Sequence, residues 1–333
     1  MIFDKKMKSR PHVVILGAGA SVATIPNGDA NGKKISVMND FFQKTNTDYL
    51  LEDVKLKTTS KNLEDIYCEI YEQPQLEGIR KRLEKAIYDY FSDLIIPEEP
   101  TIYDFLILSL REKDLIATFN WDPLLLQAYR RCGKITHNLP NLVFLHGNVA
   151  VGLCEKDKIS GNIGSRCSIC KGNLVPSKLL YPIKKKDYNS NIFIKNAWAV
   201  VEETLGIAFI ITIFGYGAPP SDVEAINLLK NAWGDDIEQR QLEQIEIIDI
   251  KSEEELTKTW KPFIHTRHYE VHNSFFDSTI ASFPRRTCES LYDQNLGAKF
   301  LDYKNGFKEN MSWIEIKEYL KPILEDEKTE ETN

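Results

Sequence analysis

The succession of strand-like and helix-like segments predicts an α/β fold. Six short apolar runs rich in β-branched residues recur along 333 residues, helical patterns separate them, and most of the runs end in glycine or polar turns. Runs such as VVIL, FIITIF and IEIIDI are apolar almost throughout, as strands covered on both faces are. Together these observations predict a Rossmann-like parallel sheet with helices on both faces, plus a small helical module and a Cys-containing insertion.

Strands are expected at 12–16, 115–119, 142–145, 208–214, 245–250 and 267–271. Helices are expected at 62–96 with an interruption near Pro74, then at 101–111, 123–131, 191–204, 220–233, 252–259 and 275–291. Ser252 followed by three glutamates reads as an N-cap with first-turn acids. Residues 40–100 carry helical spacing without a strand signal, which suggests a small module. Residues 148–190, rich in Lys, Gly, Ser and Asn, read as an irregular insertion. One main domain over 1–300 is expected, followed by an extension over 301–333 whose acidic end EDEKTEETN reads as frayed and disordered.

Composition narrows the function. With 42 Lys+Arg against 49 Asp+Glu the net charge is −7, so no direct nucleic-acid binding is expected. The uncharged stretch 204–221 holds three Gly and two Pro and cannot form a membrane span. The N-terminus lacks the apolar core of a signal peptide, so a cytoplasmic protein is expected. Six cysteines are too few for a disulfide scaffold, and Cys154, Cys167 and Cys170 form the one cluster.

Five places can carry chemistry. Gly17-Ala18-Gly19-Ala20-Ser21 follows the first strand, where glycines let backbone N–H groups approach a pyrophosphate; a tight ligand-free turn is the alternative. Val22 stands where a dinucleotide fingerprint wants a small residue, which disfavours a dehydrogenase. Asn120 and Asp122 end the second strand, although Asp122 before Pro123 can also be a plain helix cap. His146-Gly147 ends the third strand, at the edge where open α/β sheets bind ligands. Gly215, Tyr216 and Gly217 follow the fourth strand and Asp249 lies near the end of the fifth, suited to ribose or phosphate or to simple turns. His12, His137, His265, His268 and His272 read as surface or packing residues.

Taken in order, GAGAS, TFNWD, LHG and FGYG resemble the nucleotide-binding core of the sirtuin family, especially its bacterial antiphage NAD-consuming branch, over about residues 12–290. The stretch GAGASVATIPNGDANGKKISVMNDF resembles that branch too, with Asp29 in a loop that folds over the cofactor. The resemblance implies an NAD site in which Asn120 and His146 flank the nicotinamide ribose. It further implies that Gly17–Ser21 bind the pyrophosphate, that Asp122 holds the cofactor or orders the loop, and that Gly215, Tyr216, Gly217 and Asp249 take the adenosine half. The family's four-Cys zinc pattern is altered here, with Asp157 standing where one Cys is expected beside Cys154, Cys167 and Cys170. The expected activity is NAD hydrolysis to nicotinamide and ADP-ribose, with lysine deacylation or a non-catalytic NAD sensor as alternatives. Regulation is expected through a homo-oligomer or a partner such as an ATPase, because a toxic NADase must be held off until needed and no sensor domain is recognisable, and the chain has no GxxxxGK[ST] motor loop of its own.

Overall fold

The computed structural model describes residues 6–331 apart from 184–185, 187, 190, 235–239, 241, 262 and 265–267. His265 and the first residue of the strand expected at 267–271 therefore lie outside the described residues.

Six parallel strands form the central sheet: β1 (His12–Leu16), β2 (Leu115–Thr118), β3 (Asn141–Phe144), β7 (Ile210–Phe214), β8 (Gln244–Ile248) and β9 (Tyr269–His272), in the order β3-β2-β1-β7-β8-β9. The chain builds outward from β1 to β3 and then returns to place β7 on the other side of β1. That reversal puts a switch point between the carboxyl ends of β1 and β7.

Alternation along the strands sorts the core into two layers. Val14, Leu16, Ile116, Phe214 and Ile248 face one layer, which holds Leu63, Tyr67, Leu83, Phe105, Leu124 and Ile280. Val13, Ile15, Leu115, Ala117, Ile211, Ile213, Ile245 and Ile247 face the other, which holds Trp198, Leu205, Leu229 and Trp260. Helices thus cover both faces, and that is why the strands are apolar in nearly every position. In the 40–100 segment, the helices α2 (Phe41–Thr45), α3 (Leu63–Tyr71) and α4 (Glu77–Ser92) bury Phe41, Phe42, Tyr67 and Phe91 in the same layer as Val14, so they share the main core.

Local chemistry fixes several helix starts. Ser252 accepts the Glu255 N–H while the Glu255 carboxylate accepts from Ser252, a capping box at the start of the helix Glu253–Trp260. Asn191 caps Ile192–Ile207 by accepting from the N–H groups of Phe193 and Ile194. The expected helix at 275–291 is divided by turns into Thr279–Ser282 and Thr287–Asn295.

Two sequence expectations need correction. The insertion is not irregular throughout: β4 (Val151–Cys154), β5 (Ile159–Asn162) and β6 (Val175–Pro176) form a three-stranded antiparallel sheet, in the order β5-β4-β6. The acidic tail is not frayed over its described length, because Trp313–Glu331 is one helix. Its Ile316 and Leu320 are fully buried, and Glu327 forms a buried bidentate pair with Arg285 at 2.7 and 2.6 Å. Burial of one face and one fork-like ion pair outweighs the solvating composition of the rest.

Candidate active site at the carboxyl edge of the sheet

The two glycine turns meet each other. Gly17 N–H donates to the Phe214 carbonyl at 3.0 Å and Gly19 N–H to the Gly215 carbonyl at 2.9 Å. A Cβ on Gly19 would sit 2.8 Å from Gly215 Cα, and one on Gly215, at φ +60°, would sit 2.3 Å from Ala20 N. The close approach that glycine permits here is therefore between the chain's own turns. Gly147, at φ +77°, serves the same purpose beside His146, since a Cβ there would meet the Lys178 carbonyl oxygen at 2.1 Å.

Asn120 lies beyond β2 and joins the first turn. Its Nδ2 donates to the Gly17 carbonyl at 2.8 Å, and lies 2.9 Å from Ser21 Oγ and 3.2 Å from the Tyr103 hydroxyl. Ser21 in turn donates to Asp122 Oδ2 at 2.7 Å and pairs with Tyr103 at 2.7 Å. Asp122 Oδ1 accepts the Leu124 N–H at 3.1 Å, but Pro123 is the N-cap of the helix Leu124–Cys132, so Asp122 braces the turn into that helix rather than capping it. Burial raises the Asp122 carboxyl above the usual carboxylate range, opposed by the Ser21 and Leu124 hydrogen bonds. With Nδ2 consumed inward, Asn120 Oδ1 has no hydrogen-bond partner among the described residues, and the side chain is only partly buried.

His146 occupies a different setting. Its ring packs edge-on against Phe119, with centroids 4.8 Å apart, and stacks on Tyr188, whose hydroxyl lies 3.1 Å from Nε2. Phe119 also stacks face to face on Tyr216 at 4.2 Å. Burial lowers the His146 pKa from 6.5 to about 3, against a raising effect of Asp222, so the imidazole is neutral near pH 7 and a weaker base than an ordinary histidine.

The structure brings Gly17, Ser21, Asn120 and Asp122 into one hydrogen-bonded cluster, against which the Gly215 turn packs. Asn120 and His146 follow neighbouring strands, and the Phe119 ring touches His146, yet no hydrogen bond joins the two side chains among the described residues. Ala18, Gly19, Asn120, Gly215, Gly217 and Asp249 retain exposure along this edge, whereas Gly17, Ala20, Ser21, Asp29, Asp122, His146 and Tyr216 are buried. Asp249 accepts the Lys251 N–H at 3.0 Å and sits beside His272 through its own N–H. The carboxylate of Asp29 is committed to the chain, accepting from the N–H groups of Asn31, Lys33 and Ile95 at 2.8, 2.8 and 3.0 Å. It staples the 28–33 loop to the end of α4.

Sequence reasoning missed several groups here. Tyr103 and Asn148 carry no local signal; Asn148 Nδ2 donates to the Asp122 carbonyl at 2.6 Å and ties the third strand's exit to the second. Asp222 hides behind a Pro pair, and Lys186 within a lysine run that reads as solvated. Lys186 is in fact buried and ion-paired with Asp222.

In the insertion, Cys154, Asp157, Cys167 and Cys170 place their ligand atoms within 4.8 Å of one another. The Cys154–Cys170 sulfur separation is 3.6 Å, and Asp157 Oδ2 lies 3.4 and 3.1 Å from Cys154 and Cys167. Hydrogen bonds from Cys170 and then Cys167 lower the Asp157 pKa to about 2. Three sulfurs and one oxygen at these spacings fit the edges of a tetrahedral zinc shell.

Fold and edge define a class: a doubly wound parallel α/β protein with paired glycine turns at its switch point and a Cys-bearing antiparallel insert. No protein-family model matches the sequence, and no curated protein does. Among solved structures, the chain is similar to a Sir2 homologue in complex with NAD, with a TM-score of 0.44 and 14% identity over 87% of this chain and 94% of that one. It is also similar to a Sir2 homologue mutant in complex with ADP-ribose, with a TM-score of 0.40 and 14% identity over 90% and 99% of the two chains. No helix among the described residues is long and apolar enough to cross a membrane.

Proposed function

We propose that the protein is an NAD glycohydrolase, cleaving NAD to nicotinamide and ADP-ribose and consuming one water. The observation that carries this reading is the Asn120 side chain, pinned to Gly17 and Ser21 through Nδ2 so that Oδ1 is left unpaired at the switch point. Breaking the nicotinamide–ribose bond builds positive charge at the anomeric carbon, and a fixed amide oxygen can orient the attacking water or a ribose hydroxyl there. Ala18, Gly19, Gly215 and Gly217 would face the phosphates and Asp249 the far ribose. His146, uncharged and held by Tyr188, would accept the proton released on water attack.

Lysine deacylation is the second reading. Water is favoured as acceptor because the segment after the Cys module, NLVPSKLLYPIKKKDY, carries a charged run unlike a dry acyl-lysine tunnel. Cys154, Asp157, Cys167 and Cys170 would hold zinc, which supplies a structural cross-link of the antiparallel insert. The motif resemblance further supports a role as an NAD-depleting effector of antiphage defence, kept in check by oligomerisation or an ATPase partner. If the isolated chain were fully active as a monomer, that regulation would be excluded.

The test is incubation of the purified protein, with any partner encoded beside it, with NAD and no acylated peptide, following nicotinamide. Release that disappears in Asn120→Ala supports hydrolysis. Strict dependence on an acyl-lysine peptide would move the assignment to deacylation, and tight NAD binding without release to a sensor.

A further inference from the structure

Polar groups from several segments converge around His146. Asp222, which ends the short 3-10 turn Pro220–Asp222, is 4% exposed, and so is Lys186. Asp222 Oδ1 accepts from the Lys186 ammonium, which also donates to the Ser221 carbonyl at 3.1 Å and the Ser221 hydroxyl at 3.2 Å. Asp222 Oδ2 accepts the Tyr216 hydroxyl at 2.9 Å. The same Oδ1 lies 4.0 Å from His146 Nε2, beyond hydrogen-bond reach but well within electrostatic reach in a dry site. The titratable groups facing the ring are thus Asp222, Lys186 and Tyr188, with Tyr216 acting through Asp222; Phe119 and Trp198 close the remaining aromatic wall.

A buried carboxylate this close to an imidazole would ordinarily draw a proton onto it and form an ion pair. An ammonium on the same carboxylate oxygen removes that pull, because the pair presents almost no net charge to the ring. We infer that Lys186 is a positioning residue for the proposed hydrolysis: by neutralising Asp222 it prevents that carboxylate from offsetting the burial that holds His146 uncharged, in the form that can take up the proton of the attacking water. This rests on the NAD-hydrolase reading for its catalytic meaning, but the electrostatic claim concerns His146 alone.

The Lys186 ammonium ends between Ser221 and Asp222. Arginine could preserve the charge; methionine preserves the stem and removes the charge.

The test is a histidine NMR titration of the full chain labelled with ¹⁵N-histidine, with the His146 resonances assigned by their loss in His146→Gln. In the wild type the His146 ring should remain uncharged down to pH 5. In Lys186→Met it should titrate at least ~2 pH units higher than in the wild type, the shift expected of an uncompensated carboxylate neighbour. The double variant Lys186→Met/Asp222→Asn should return the ring to wild-type behaviour, and Lys186→Arg should never depart from it. The pH profile of nicotinamide release should gain an acid limb in Lys186→Met alone. A wild-type ring that titrates near pH 6.5, or a double variant that matches the single one, would overturn the inference. Should Lys186→Met not fold, the wild-type titration and Asp222→Asn still decide, since Asp222→Asn must not raise the ring's proton affinity. Absence of nicotinamide release from every form would count against the hydrolase reading and leave the titration result standing on its own.

Discussion

The two polar networks at the carboxyl edge handle a buried carboxylate in opposite ways. Asp122, on the Asn120 side, is surrounded by neutral donors: a serine hydroxyl and a backbone N–H, with Tyr103 and Asn120 completing the set through Ser21. Asp222, on the His146 side, is met by an ammonium and a phenol. The first arrangement is directional and leaves Asn120 Oδ1 without a hydrogen-bond partner among the described residues. The second sets the charge felt by an aromatic base. Geometry is controlled on one side and protonation on the other, and a dinucleotide lying along the edge between them would meet both.

The comparison breaks most visibly at Asn120. Asn120→Ala removes the oriented amide without touching the apolar layers, so nicotinamide release should fall by about 10²–10³-fold while the thermal midpoint stays near that of the wild type. Equal loss of activity and stability would mean that the residue only braces the turn. Asp122→Ala should show the reverse weighting, because Ser21 Oγ and the Leu124 N–H lose a buried acceptor. Stability in urea should drop by roughly 1–3 kcal/mol, the usual cost of an orphaned buried donor. A variant as stable as the wild type would show that water replaces the carboxylate without penalty.

The pH dependence of stability sharpens the contrast between neutral and charged histidines. Burial holds His12 at about 4 and His146 at about 3, against 6.5 in the unfolded chain. The unfolded state therefore binds more protons as pH falls below about 6.5, and stability declines from there toward pH 3. His272 behaves oppositely. Its burial would lower the pKa, but Nε2 lies 3.3 Å from Glu246 and 3.4 Å from Glu270, and the two carboxylates raise it to about 10. Its contribution is complete below pH 6.5 and is lost as pH rises toward 10. Thermal melts should thus lose stability in both directions away from about pH 6.5, and His272→Gln should flatten the alkaline side alone. A smaller effect is expected in the insertion: chelation should release one zinc per chain and lower the thermal midpoint by a few degrees, with no such change in Cys167→Ser. Mass spectrometry of metal content that finds none in the wild type would contradict this.

Much of the fold was legible because a parallel sheet buried on both faces forces apolar, β-branched runs, and those runs are hard to mistake. The first strand falls at His12–Leu16 as expected, and the other five lie within three residues of their expected starts. The glycine turns were legible for the same reason, since strand ends at a switch point need close backbone approach, although the partner of each glycine turned out to be the other turn. Lys186 was illegible because a lysine in a lysine run carries no sign of burial; only the fold reveals that Lys186 is buried. The helix Trp313–Glu331 was obscured by its acidic composition, and its anchor Arg285 lies far away in sequence. His146 was legible by position but not by state: a strand-end histidine reads as exposed to a cleft, whereas Phe119, Tyr188 and Trp198 wall it in.

The most direct measurement is a crystal structure of the Asn120→Ala protein soaked with NAD. The account predicts one intact dinucleotide along the carboxyl edge, its pyrophosphate over Ala18 and Gly19 and its nicotinamide ribose between position 120 and the His146 ring. Density for NAD elsewhere, or a ribose that reaches one of these two positions and leaves the other facing solvent, would contradict it.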